Sequence, residues 1–135
     1  MAAKTMTSST ITFGMPDLAT RLDRCTPEEL DGLDFGVIGF GPDTNVDLYN
    51  AFESQAAGLS QQRVIGQPLF TNVAPCLNNF MVAQRFEDAQ DDGSTLDDTI
   101  DYVLTLRMRP VKVVLRLLAS PATSHRYVLV QRQAR

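Results

Sequence analysis

A chain of 135 residues, 44% of them hydrophobic and 21% charged, has the size and composition of one globular domain with its own core. Its net charge of −4 and the lack of a basic run argue against nucleic-acid binding, and no apolar run approaches the roughly 18 residues of a membrane span. Because residues 1–10 also lack the apolar stretch of an export signal, we expect a cytoplasmic protein.

The N-terminal third carries one clear helix start. Thr26 is a good cap, Pro27 suits the first helical position, and Glu29 is placed to close a capping box. We therefore predict two units: an N-terminal helical cap over residues 1–33 and a core over residues 34–135. The apolar anchors expected in the cap are Leu18, Leu22 and Leu30.

A β-hairpin and a series of short helices follow the cap. The apolar run 35–40 predicts a buried strand, 41–45 a turn, and Val46–Tyr49 the returning strand. Asn50 is a suitable cap for a helix that ends at Gly58, and Ser60 for one that stops at Gly66.

The second half of the chain is predicted to hold one longer helix and three strands. The helix is expected over 79–89, with Phe80, Ala83 and Phe86 on its apolar stripe, and a loop over 90–94. Strands are expected over 98–107, Val111–Ala119 and Arg126–Arg132, with turns at Pro110 and 120–123. The fold class is therefore α+β, with a five-stranded antiparallel sheet and short helices on one side. This order of elements resembles a PAS domain.

The reactive side chains are few. Cys25 and Cys76 are expected to be free thiols in the cytoplasm, and one histidine leaves no candidate zinc or haem site. His125 is interpreted as a surface residue in a polar turn. Arg132 and Arg135 are interpreted as a solvated strand end.

Six short segments of the sequence resemble the photoactive yellow protein family of blue-light receptors, which have the PAS fold. They are LDGLDFGVI at 30–38, LYNAFE at 48–53, RVIG at 63–66, VAPC at 73–76, DY at 101–102 and RPVKV at 109–113. Each segment alone is weak evidence for the family, but the order and spacing of all six are specific, with one small insertion near Asp91. The resemblance covers most of residues 30–132.

The resemblance implies a cofactor and its site. In that family, a cysteine at the position of Cys76 carries p-coumaric acid through a thioester. Residues at the positions of Tyr49 and Glu53 hydrogen-bond its phenolate. The family also has a pocket tyrosine at the position of Tyr102, and this sequence retains it. A buried phenolate needs donors, and a tyrosine hydroxyl and a protonated carboxyl can both donate. Glu53, next to apolar neighbours, is expected to stay protonated through desolvation. From packing alone, Tyr102 and Phe80 are interpreted as core residues.

Three positions depart from the family pattern. Ala57 stands where the family usually has a threonine, Leu59 where an arginine covers the pocket, and Leu106 where a second tyrosine lies. These changes make the expected pocket more apolar, and we expect its colour or kinetics to differ from those usual in the family.

The implied function is light sensing without substrate turnover, so we do not expect an enzyme. Proton transfer from Glu53 is expected to leave a buried carboxylate without a partner, at a cost of several kcal/mol, and to release the cap towards an unknown downstream signalling protein. Two alternatives stay open: a PAS module without chromophore that binds a small ligand or dimerises, and a thiol redox sensor at Cys76. The sequence is compatible with a homodimer.

Overall fold

Five strands form one antiparallel sheet in the order β2-β1-β5-β4-β3. The computed structural model describes residues 11–105 and 110–132. The strands are β1 Gly36–Phe40, β2 Val46–Tyr49, β3 Leu96–Leu104, β4 Val111–Ala119 and β5 Arg126–Arg132. The predicted α+β class and five-stranded sheet are confirmed, and β2, β4 and β5 have the predicted bounds. β3 starts at Leu96, two residues before its predicted start, and ends at Leu104, while the expected end at residue 107 lies outside the described residues.

Short helices connect and flank these strands. They are α1 Leu18–Asp23, α2 Pro27–Asp31, α3 Ala51–Ala57, α4 Gln61–Val64 and α5 Ala83–Asp92, with a π-helical turn at Leu69–Val73 and a 3₁₀ turn at Pro75–Leu77. Within the described ranges, no helix combines the length and apolar character needed to cross a membrane.

Capping side chains set the starts of α2 and α3. Thr26 accepts a hydrogen bond from the Glu29 amide at 3.2 Å, and the Glu29 carboxylate accepts one from the Thr26 amide at 2.8 Å. Asn50 accepts from the Glu53 amide at 3.1 Å, and α3 ends at Gly58 with a φ of 75°. Both predicted caps are confirmed.

Alternate side chains along each strand point to opposite faces of the sheet. Both faces are covered by other parts of the chain. On the inner face, α4, α5 and the two turns cover one core, which includes Ile38, Phe40, Leu115 and Val128. On the outer face, the N-terminal segment packs through Leu18, Leu22 and Leu30 onto a second core. The three predicted anchors of the cap are therefore all buried, with exposures of 1%, 1% and 3%.

The longer helix differs from its prediction at both ends. Asn79 Oδ1 accepts hydrogen bonds from the amides of Met81 and Val82 at 3.0 and 3.1 Å, which holds the chain in a turn, so α5 begins only at Ala83. Phe80 therefore lies outside the helix and is 79% exposed, so its assignment to the core is wrong. The predicted loop at 90–94 is largely the last turn of α5.

Candidate functional site

The segment around Cys76 is fixed by its backbone. Pro75 starts the 3₁₀ turn, and the Cys76 carbonyl accepts a hydrogen bond from the Tyr102 hydroxyl at 2.6 Å. Asn79 Nδ2 lies 3.3 Å from the same carbonyl and 2.6 Å from the Tyr102 oxygen. The Cys76 thiol is free and half-buried, and the side chain packs against the inner core. The turn thus presents one thiol from a held position on the inner face of the sheet.

Tyr49, the last residue of β2, packs in the same inner core and is 5% exposed. Burial, followed by the nearby Glu53 charge, raises the pKa of Tyr49, against an opposing effect of Arg132. Its hydroxyl therefore keeps its proton at neutral pH. No hydrogen bond joins this hydroxyl to any residue within 11–105 or 110–132, so its hydrogen is not used within these residues.

Glu53 lies in the first turn of α3 and is 2% exposed, so its predicted burial is confirmed. Its carboxylate sits over Gly36 of β1, where a Cβ would come within 3.0 Å of its Cδ. A glycine at this point of the strand therefore leaves the space that the carboxylate occupies.

The partner of Glu53 was not predicted. Arg132, the last residue of β5, donates from Nη1 to Oε1 at 2.7 Å and from Nη2 to Oε2 at 3.1 Å. The interpretation of Arg132 as a solvated strand end is wrong: its side chain is only 18% exposed. The sequence contained a signal for the burial of Arg132. Alternate residues of a strand lie on one face, so Arg132 lies on the same inner face as Val128 and Val130.

Burial and the ion pair act in opposite directions on Glu53. Burial raises its pKa above the ordinary carboxyl value, while the hydrogen bonds and charge of Arg132 lower it, and burial is the larger effect. The bidentate geometry nonetheless suits a carboxylate, because a guanidinium only donates. In this structure both Glu53 oxygens accept hydrogen bonds from Arg132, a partner that was not expected, while burial shifts the pKa of Glu53 in the expected direction.

Asn50 holds the beginning of α3 and is 3% exposed. Its Oδ1 accepts from the Val37 amide at 3.0 Å as well as from Glu53, and its Nδ2 donates to the carbonyls of Leu30 and Phe35 at 2.9 and 3.0 Å. The sequence predicted only the helix cap. These four hydrogen bonds use the acceptor and both donor hydrogens of one buried amide, so Asn50 ties the site to both β1 and the end of α2.

The four predicted site residues thus form two groups on the inner face of the sheet. Tyr49 lies close to Glu53, and Tyr102 is hydrogen-bonded to the Cys76 backbone. Tyr49, Cys76 and Tyr102 all pack against the inner core. Tyr102 is half-buried there, in agreement with its interpretation as a packing residue.

Two of the three departures from the family pattern are visible. Ala57 is 6% exposed, and Leu59 is partly buried against the inner core. Both give the region apolar surface where the family pattern has a hydroxyl and a guanidinium. Leu106 lies outside the described residues.

Cys25 and His125 lie on the other side of the sheet. The Cys25 thiol is free and donates to the Arg21 carbonyl at 3.3 Å, and burial followed by the Glu29 charge raises its pKa. His125 is not a plain surface residue as predicted. Its imidazole is 27% exposed, with one nitrogen 3.6 Å from Asp23 and the other 3.6 Å from Asp47.

Comparison with solved structures gives the class of protein first. The PAS domain of the quorum-sensing receptor RpfR from Cronobacter turicensis aligns with a TM-score of 0.58 at 16% identity, over 76% of this chain and 96% of that one. The PAS domain of the nitrogen regulation protein NR(II) from Vibrio parahaemolyticus also gives 0.58, at 13% identity, over 79% and 96%. The chain therefore has the PAS fold.

Closer relatives give the family. The photoactive yellow protein domain of the sensor histidine kinase Ppr from Rhodospirillum centenum aligns with a TM-score of 0.77 and 32% identity, over 84% of this chain and 99% of that one. The photoactive yellow protein of Rhodothalassium salexigens is 29% identical over 122 residues, or 90% of this chain and 97% of the relative. No family model matches the sequence. The chain belongs to the photoactive yellow protein family.

Proposed function

We propose that this protein is a blue-light receptor that carries p-coumaric acid as a thioester on Cys76. The observation that supports this best is the state of Cys76 in a member of this family: a free, half-buried thiol on the inner core, in a turn whose carbonyl Tyr102 holds at 2.6 Å. A thiolate is the nucleophile that accepts an acyl group. When bound, the p-coumaroyl group supplies the absorption of visible light and an isomerisable double bond.

The residues of the chain fit such a group. Tyr49 supplies a protonated hydroxyl without a partner in the described structure, which suits a phenolate oxygen. Glu53 lies close to Tyr49 and supplies a second polar side chain in an apolar setting. We assign Tyr102 a positioning role, because its hydroxyl holds the backbone of the attachment residue.

The proposed output is the N-terminal cap, residues 1–33, on a core of residues 34–135. The described part of the cap packs on the outer face of the sheet, opposite the candidate site. Such peripheral units open at lower free energy than the strands they cover. The receptor would turn over no substrate and would act through a downstream partner in the cytoplasm, a compartment in which two free thiols are expected.

Acylation of the apoprotein tests the attachment site. Apoprotein treated with activated p-coumaric acid should gain one coumaroyl mass and visible absorbance, in the native chain and in the matched control Cys25→Ala. Cys76→Ala should gain neither. An adduct that persists in Cys76→Ala, or that is mapped to Cys25, would refute the assignment.

The second candidate is a PAS module that binds a small apolar ligand or a second copy without a chromophore. The buried Ala57 and the partly buried Leu59 favour it, because both make this side of the site apolar. The RpfR domain, related in fold alone, has been solved in complexes with BDSF and with C12:0. A native chain that stays colourless and unacylated at Cys76 would favour this candidate.

A further inference from the structure

The contact between Glu53 and Arg132 is built into the fold. Arg132 stands on the inner face at the end of β5, and Gly36, which pairs with Val130 on that strand, leaves the space for Glu53 beside it. The two side chains are 18% and 3% exposed and share two hydrogen bonds, of 2.7 and 3.1 Å. A buried bidentate pair between a helix and a strand is unlike the accidental ion pairs of a protein surface.

The chemistry of the pair limits what Glu53 can do while it is formed. A guanidinium is a positively charged group that only donates hydrogen bonds and has no acceptor atom. Both Glu53 oxygens face N–H groups of Arg132, so neither oxygen is placed to donate to a ligand while the pair is formed. Glu53 becomes a donor only by taking up one proton and giving up at least one bond to Arg132.

We propose that Arg132 is the counter-ion of Glu53, and that Glu53 exchanges between this guanidinium and the phenolic end of a bound ligand. The exchange rests on the proposed function, since the second partner is the phenol group. The proton that Glu53 gains comes from that phenol, so the total charge around Arg132 stays the same. When Glu53 gives the proton back to the phenolate oxygen, its carboxylate returns to Arg132.

This assignment changes the energetics expected from the sequence. A carboxylate re-formed at Glu53 was expected to stay buried without a partner. With Arg132 in reach it has a charged, bidentate partner, so the destabilisation that follows deprotonation is smaller. Arg132 also supplies a positive charge near the candidate site. The family's pocket arginine is absent from this chain, which has Leu59 at that position.

Infrared spectroscopy of the apoprotein tests the counter-ion without any chromophore. With isotope-labelled glutamate, native apoprotein at neutral pH should lack a protonated carboxyl band from Glu53. Arg132→Gln should gain that band, because a buried carboxylate that loses its partner takes up a proton. The band should be absent from the double variant Arg132→Gln/Glu53→Gln, which assigns it. Arg85→Gln, which removes the half-exposed pair with Asp98, is the matched control and should leave Glu53 unchanged.

The exchange of Glu53 between Arg132 and the phenol is tested by the same carboxyl band after Cys76 has been acylated. Native protein with Cys76 acylated, as verified by mass, should gain the Glu53 carboxyl band. A band in native apoprotein would overturn the counter-ion assignment, and this measurement needs no variant that must fold. A verified adduct without the band would overturn the exchange while leaving the attachment at Cys76 intact. A failure of acylation would instead refute the proposed function, and the exchange with it.

Discussion

Arg116 is the clearest place at which to loosen the N-terminal cap without touching the candidate site. It lies in β4 and is 6% exposed. Its Nη1 donates to the carbonyls of Phe13 and Met15 at 2.9 and 2.8 Å, while Nε and Nη2 each lie 2.9 Å from the Asp97 carboxylate. Arg116→Met keeps most of the buried stem and removes all four hydrogen bonds.

The ion pair with Asp97 and the hydrogen bonds to the two carbonyls contribute differently to the stability of cap docking. Asp97 is 47% exposed, so its ion pair is screened by water and contributes roughly 0–1 kcal/mol. Hydrogen bonds from a charged donor contribute about 1.5–3 kcal/mol each when the acceptors are buried. Because Phe13 and Met15 are half-buried, their carbonyls regain some water on opening. We therefore expect Arg116→Met to weaken cap docking by about 2 kcal/mol, or a factor of about 30.

Hydrogen exchange measures this effect locally. The amides of α1 should exchange about 30-fold faster in Arg116→Met, while those of β5 change less. Asp97→Asn is the matched control, since it removes the ion pair but leaves the two carbonyl contacts, and it should change exchange by less than about fivefold. Equal effects of the two substitutions, or unchanged exchange in α1 of Arg116→Met, would refute the reasoning.

The remaining predictions concern the site and the sheet. Gly36→Ala should lower the free energy of unfolding in urea by about 1–3 kcal/mol, because the new Cβ displaces the Glu53 carboxylate; an unchanged midpoint would contradict this. Asn50→Ala should cost about 3 kcal/mol in the same assay, since it leaves buried backbone groups unpaired, and a loss below about 1 kcal/mol would show that water replaces the amide. In acylated protein, Glu53→Gln should keep the colour with a shift and Tyr49→Phe should weaken the hydrogen bonding of the phenolate; unchanged spectra in both would place neither residue at the ligand. Burial and a hydrogen bond to a carboxylate of α1 raise the pKa of Tyr127, so stability should fall as pH rises above about 10, the value of an unfolded tyrosine, and the slope should shrink in Tyr127→Phe.

Local chemistry explains which parts of the fold could be predicted. The capping box of Thr26 and Glu29 and the caps at Asn50 and Ser60 depend on residues three positions apart, so the sequence contains all of the information. The bounds of β4 and the start of β5 follow from apolar runs flanked by turn residues at Pro110 and 120–123. The start of α5 was missed because a single side chain, Asn79, competes with the helix for two amides.

The contacts that were missed join residues far apart in sequence. Glu53 and Arg132 are 79 positions apart, and Asp23 reaches Tyr127 across 104 positions at 2.6 Å. Neither pair has a local pattern that identifies its partner. The face of Arg132 was nevertheless predictable from its alternation with Val130, so a charged residue on an apolar face was a signal for a buried partner.

The candidate site and the cap share the buried side chain of Asn50. Its Oδ1 accepts from the Glu53 amide at 3.1 Å, and its Nδ2 donates to the Leu30 carbonyl at 2.9 Å, where α2 ends. A displacement of the first turn of α3 therefore strains hydrogen bonds that hold the cap, and these buried groups have no ready substitute in water. A charge on Glu53, by contrast, has Arg132 as a partner and is compensated where it forms. If the protein is the receptor proposed above, these contacts support a signal carried by the position of α3 over one carried by an uncompensated charge.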